Sequence, residues 1–150
     1  MCEDRDGFRY PVVDKDICIG CGRCEAVCSL TAERFHAADA QRGFGGSIKD
    51  AELLAESTSG GAFTAIATAF LENDGIVFGV ESSEVYKARH ASVSSVEGLV
   101  AFRGSKYVQS EIGDAYSRVL DLLKTGNRVL FSGTPCQIDG LYGSLGWLAD

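Results

Sequence analysis

Four of the six cysteines stand within eleven residues, as Cys18-Ile-Gly-Cys21-Gly-Arg-Cys24-Glu-Ala-Val-Cys28. This C-x2-C-x2-C-x3-C run constrains the chain more than any other feature. A disulfide framework spreads its cysteines so that distant loops are tied together, and pairing these four with one another would constrain almost nothing. Tetrahedral zinc usually takes two separated C-x2-C-type knuckles, and no second pair follows far downstream. The spacing is instead the one by which three thiolates wrap successive corners of a 4Fe-4S cube. Gly20 and Gly22 suit that task, because backbone without Cβ turns tightly and aims N–H groups at the cluster's sulfurs. Cys18, Cys21, Cys24 and Cys28 are the expected metal ligands, with zinc or a plain redox thiol pair as the alternatives. Oxygen-sensitive clusters and reduced thiols predict a cytoplasmic location.

Asp6-Gly7-Phe8, then Tyr10-Pro11-Val12-Val13-Asp14, then the cysteine run, resembles the second half of a two-cluster ferredoxin module. The fourth cysteine of each run in such modules binds the other cluster. The resemblance therefore implies that Cys28 need not complete the site begun by Cys18, Cys21 and Cys24, and that a first run belongs before Met1. Cys2 is a possible substitute ligand that nothing in the spacing demands. Ser29 departs from the pattern, standing where ferredoxins usually carry proline. On this reading the isolated chain holds at most one cluster.

The remaining composition limits what else the chain does. Fourteen basic and 21 acidic residues give a net charge of -7, which argues against a protein that neutralises a phosphate backbone. The most apolar stretch, 62–71, is ten residues, about half of the roughly 20 needed to cross a bilayer. No membrane span and no nucleic-acid partner are expected. Glycine supplies 18 of 150 residues, above the usual share of about 7%, which points to tight turns and close ligand approach.

Past the cysteine run, residues 29–38 are mixed and 41–47 read as turn or linker. The expected division is 1–36 as a partial 4Fe-4S ferredoxin-type domain, 37–55 as linker, and 56–150 as an α/β domain. Ser57-Thr58-Ser59-Gly60-Gly61 supplies N-cap hydroxyls ahead of a helix running to about Asn73, whose apolar face is Phe63, Ile66, Ala67, Phe70 and Leu71. Residues 76–80 predict a strand covered on both faces, 85–91 a second strand with Tyr86, Ala88 and His90 on one face, and 94–102 a weak helix. Ile112 to Leu123 mark a strong helix, 128–131 another buried strand, and 135–141 a short helix. The two histidines lack ligand spacing, and Trp147 and Tyr142 read as packing or interface residues. Strand, helix, strand argues for an α/β sheet whose ligands gather at strand C-terminal ends.

Three glycine-centred segments stand out. Ser57-Thr58-Ser59-Gly60-Gly61 places hydroxyls and N–H groups at a helix start, suited to phosphate or simply to capping. Phe102-Arg103-Gly104-Ser105-Lys106-Tyr107-Val108-Gln109-Ser110 reads as a binding element or a solvated loop, and Ser132-Gly133-Thr134-Pro135-Cys136-Gln137 puts a cysteine just past a buried strand. In this order, behind a ferredoxin-type run, the segments resemble the coenzyme F-420 hydrogenase/dehydrogenase beta-subunit family.

That resemblance implies an iron-sulfur flavoprotein oxidoreductase. Its fold would be a partial ferredoxin-type module followed by an incomplete flavin-binding α/β domain. FAD would pass electrons between 4Fe-4S clusters and a hydride acceptor such as coenzyme F-420, beside a redox partner subunit. It implies flavin contacts at Ser59, Gly60, Gly61, Gly104, Ser105, Lys106 and Tyr107, and makes Cys136 a further cluster ligand whose companions lie beyond Asp150. A cluster moves one electron and a hydride acceptor takes two, which a flavin reconciles. On this reading the chain is a window from a longer protein, inactive alone. The alternative is a ferredoxin-like cluster-carrying adaptor with neither flavin nor catalysis of its own.

Overall fold

The computed structural model describes residues 2–7, 9–28, 43–84 and 86–146. The stretch 29–38, the first residues of the 41–47 turn, Val85 and Trp147 lie outside the described residues.

The N-terminal part is a hairpin of two short strands, β1 (Cys2–Glu3) and β2 (Arg9–Tyr10), paired antiparallel, followed by one turn of helix, α1 (Arg23–Ala26). No described side chain from 2 to 27 is buried there. Tyr10, Val12, Val13, Ile17 and Ile19 are all at least half exposed, so this segment contributes nothing to a core of its own.

Residues 51–56 form a helix, α2 (Ala51–Glu56), inside the stretch read as linker. Its signal is Asp50, whose carboxylate accepts from the backbone N–H of Glu52 and Leu53 and so satisfies two donors at the helix start. Helix α3 (Ala62–Leu71) follows, but its N-cap is Gly61 in the left-handed region, with no hydroxyl on the helix N–H groups. The expected hydroxyl cap is therefore corrected. Ser57 Oγ is turned back to donate to Leu53 O at 2.7 Å and accepts from buried Thr64 Oγ1 at 3.0 Å, which ties the two helices together.

Strand β3 (Gly75–Glu84) is buried through its apolar first half. It runs on past the predicted end because its polar second half pairs antiparallel with β4 (Lys87–Val93), where Glu81 faces Arg89 across the hairpin at 2.8 Å. The weak helix is a 3-10 helix over Glu97–Phe102. After β5 (Ser110–Glu111) come α4 (Ala115–Lys124), β6 (Arg128–Phe131) and α5 (Pro135–Leu145). The sheet order is β5-β4-β3-β6, with β3 and β6 parallel, β4 and β5 parallel, and β3 and β4 antiparallel. It is a mixed sheet, because β3 returns directly through a hairpin to β4, whereas the connections onward to β5 and β6 cross over.

Successive side chains on a strand point to opposite faces, and β3 uses both. Val77 faces α3 and the 3-10 helix, packed with Ala67, Leu71, Leu99 and Phe102. Phe78 faces the other way, onto Ala115 and Val119 of α4 and Leu141 of α5. Helices thus cover both faces, and the strand ends are left to the connecting loops. Among the described residues no helix is long and apolar enough to cross a membrane.

Candidate functional site

Two sites emerge, and the first is the cysteine run. Gly20 and Gly22 both lie in the left-handed region, at φ 65° and 69°, where a side chain would be strained. They wind the backbone so that the N–H of Gly20 sits 3.4 Å from Cys18 Sγ, the kind of N–H to sulfur contact that a cluster site uses. Gly22 then opens α1, which carries Cys24. None of the six cysteines is in a disulfide; Cys18, Cys21 and Cys24 are exposed and Cys28 is partly covered. Among the described residues no three His, Cys, Asp or Glu side chains converge as a metal site. The fit to a 4Fe-4S cluster is therefore one of donor chemistry and of a loop already turned by glycine, with four soft thiolate donors in one short exposed segment.

The second site is a cavity of about 670 Å3 just past the C-terminal end of β6, beside the middle of its parallel neighbour β3. That volume lies within the roughly 300–1,000 Å3 of small-molecule sites. Two of the three glycine-centred segments meet there: Gly104, Lys106, Tyr107 and Ser110 come from one, and Ser132, Gly133, Thr134, Cys136 and Gln137 from the other. Phe63 of α3, Val80 of β3 and Phe102 give it an apolar wall. Gly104 takes φ 79°, which bends the chain between Phe102 and Lys106. Tyr107 is 94% exposed and so stands at the rim. The Lys106 ammonium donates to Arg103 O at 2.8 Å and Ala101 O at 3.3 Å. Burial pulls its pKa below the ordinary lysine value, and the charge of Glu81 partly offsets that. Arg103 beside it is mostly buried and pairs with Glu56 of α2.

Cys136 is exposed in the first turn of α5, directly after Pro135. The turn that carries it is a capping box in which Thr134 N donates to Gln137 Oε1 at 2.9 Å. Thr134 Oγ1 lies 3.2 Å from Cys136 Sγ. The Tyr116 hydroxyl donates to Gln137 O at 2.8 Å, and burial raises its pKa, helped by the nearby Cys136 charge.

Ser59, Gly60 and Gly61 are not among the cavity's lining residues, and neither is Ser105. A Cβ on Gly60 would stand 2.4 Å from Gly46 O, and one on Gly61 2.4 Å from Ile48 Cδ1. The pair lets residues 46–48 lie directly on the start of α3, sealed by the Ile48 N–H to Gly60 O bond at 2.9 Å. Gly60→Ala is expected to lower stability by about 1–3 kcal/mol through that overpacking, measured as a shift of the urea midpoint at constant slope. An unchanged midpoint would show that 46–48 moves aside freely.

His90, read as lying on one strand face with Tyr86 and Ala88 and as lacking ligand spacing, is 7% exposed and bonded at both ring nitrogens. The available signal was its place two residues after Ala88 on the covered face of a strand. Gln137, likewise buried, joins the same network through Ser110.

Residues 10–35 match the family described as 4Fe-4S binding domain, and residues 44–116 match the one described as coenzyme F-420 hydrogenase/dehydrogenase, beta subunit N-term. No curated protein matches the chain. Over these stretches the chain is similar to a 4Fe-4S binding domain and, after it, to the N-terminal region of coenzyme F-420 hydrogenase/dehydrogenase beta subunits, which are oxidoreductase components.

Proposed function

We propose that the chain is the electron-transfer part of an iron-sulfur flavoprotein oxidoreductase, with a 4Fe-4S cluster on the cysteine run and FAD in the cavity. Two-electron traffic then continues to a hydride acceptor of the F-420 type, on or beside a partner subunit. The observation that supports this most is the cavity itself. Two segments separated by more than 20 residues of sequence meet just past the C-terminal end of β6, the kind of place where α/β sheets bind their ligands. FAD would supply the exchange between one-electron and two-electron chemistry. The chain's part is to hold it. Phe63 and Phe102 offer an apolar wall for a flat ring, Tyr107 borders the opening, and Lys106 is the cation among the lining residues. Gly104 and Ser105 lead the backbone to Lys106. The Ser59-Gly60-Gly61 turn reaches the cavity through Phe63, two residues on. Cys136, exposed among the lining residues, would be the thiolate that a second cluster uses, and Cys28 would serve at the end of the first run.

The ferredoxin-like adaptor remains the second reading, favoured by one observation. The Lys106 ammonium already closes the end of the 3-10 helix by bonding Ala101 and Arg103 carbonyls, a structural role that needs no flavin. Fluorescence titration of the cluster-loaded chain with FAD separates the two. Lys106→Ala is expected to weaken FAD binding about tenfold, the worth of one charge-assisted hydrogen bond, while cluster absorbance stays unchanged. Wild-type affinity in the variant would take Lys106 out of the site. A chain that binds its cluster but no FAD would be the adaptor.

A further inference from the structure

Buried behind the cavity, His90 stacks on Phe131 with ring centroids 5.0 Å apart and planes 8° from parallel. Its Nε2 is 3.2 Å from Ser132 O, and its Nδ1 is 3.2 Å from Ser110 Oγ. A carbonyl oxygen only accepts, so Nε2 carries the proton and Nδ1 of the neutral ring is the acceptor. The Ser110 hydroxyl must then donate to Nδ1, which leaves its oxygen free to accept from Gln137 Nε2 at 2.9 Å. Gln137 in turn accepts from Thr134 N through Oε1, at 2.9 Å. Every link has one allowed direction, and the chain of bonds runs from the interior to the turn that bears Cys136.

We propose that neutral His90 is a positioning residue for the cavity: it sets the Ser132–Gln137 turn through Ser110 and Gln137, and protonation of the ring releases that turn. A second ring proton would sit on Nδ1, pointing at the hydroxyl proton of Ser110. The Ser110 oxygen would then have to accept from His90 and Gln137 at once while its own proton loses its acceptor, and this competition weakens the Gln137 bond that holds the turn. Burial already disfavours the charged ring and holds its pKa below the ordinary value, against smaller opposing effects of the Ser132 and Glu111 carbonyls. Outside the ring, a small pocket brings Arg89, Arg118, Glu111 and Asp114 to its flank, two charges of each sign. On the cavity side Lys106 is the charged lining residue, and Phe131 and Gln137 offer no charge. The side-chain charges on that flank balance, so only the Ser132 and Glu111 carbonyls favour the cation, and burial outweighs them.

The inference rests on the cavity being the ligand site, but its test does not need the ligand. In the 15N-labelled full chain, titrated from pH 8 to 5, the His90 ring should show the Nε2–H tautomer and a midpoint below that of an ordinary histidine. The amide signals of Thr134 and Gln137 should move with the same midpoint. In His90→Phe, which keeps the stack on Phe131, that movement should vanish. In His90→Gln, which keeps a donor toward Ser132 but cannot be protonated, the amides should also stay still. Turn amides that ignore the ring, or that titrate unchanged in His90→Phe, overturn the proposal. An FAD titration over the same range adds the functional arm. Affinity should fall about 3–10-fold on acidification, the worth of one lost hydrogen bond, and should be flat with pH in both variants. Amides that follow the ring while FAD binds at no pH leave the positioning role standing and remove the flavin reading instead. FAD affinity that falls equally in all three chains overturns the link between ring and site.

Discussion

Cys21→Ser should reduce the iron bound by the anaerobically reconstituted chain to background and remove its visible cluster absorbance. A serine hydroxyl matches cysteine in size, but it stays protonated at neutral pH and is a hard donor where iron-sulfur clusters select soft thiolate. Cys21 sits between the two left-handed glycines, so no neighbouring side chain is placed to take its role. Cys2→Ser is the matched control. That residue lies on β1, paired with Tyr10 of β2 and outside the run, and its loss should leave the iron count as it was. Retention of a full complement by Cys21→Ser, measured as iron and acid-labile sulfide per chain, would contradict the assignment of the run. Cys28→Ser asks a different question. Iron binding that survives in Cys28→Ser indicates a fourth ligand from elsewhere, whereas its loss makes the run self-sufficient.

The second large effect is expected at the centre of the sheet. Phe78 is fully buried, stacks on Phe131 at 6.0 Å, and anchors the layer formed by α4 and α5. Phe78→Ala should cost about 3–5 kcal/mol, since the removed ring leaves a void that strands and helices fill only in part. A domain of this size has a total stability of about 5–15 kcal/mol, so the variant should be largely unfolded by mild heating. Circular dichroism melting checks this, and the cysteine run offers an internal comparison. The described side chains of 2–27 bury nothing against that core, so cluster assembly should survive better than the helical signal. A melting midpoint within a few degrees of wild type would mean that α4 and α5 collapse onto the sheet without the ring.

How far sequence reached depended on the range of the physics involved. Strand β6 and helix α4 were legible because an unbroken apolar run and an apolar stripe of helical period are local patterns. Helix α2 was not, because six residues carry little periodicity and its decisive signal was a single aspartate cap at Asp50. The second half of β3 was missed for a related reason: Glu81 to Glu84 are polar, and only pairing with β4 makes them strand. At the site, the two later glycine-centred segments could be picked out singly, but their convergence is a product of the crossover from β3 to β6. The first glycine pair shows the reverse. Its residues suggested a helix cap or a phosphate cradle, whereas their neighbours in space, Gly46 and Ile48, show close packing. His90 was hidden because hydrogen-bond partners 20 and 42 residues away leave no spacing to read.

The two apolar layers described above differ in the length of chain that closes them. The buried members of the layer around Val77 lie within residues 67 to 102, with Leu130 of β6 packed against them from outside, whereas those around Phe78 lie as far apart as 78 and 141. Loop-closure entropy grows with separation and distant contacts form slowly, so the first layer has the kinetic advantage and the second must wait for α5 to return. The cavity takes Phe63 and Phe102 from the early side and Gln137 from the late one. Ligand binding is thus tied to the last event of assembly, and a nascent chain presents an open half-site until β6 has docked.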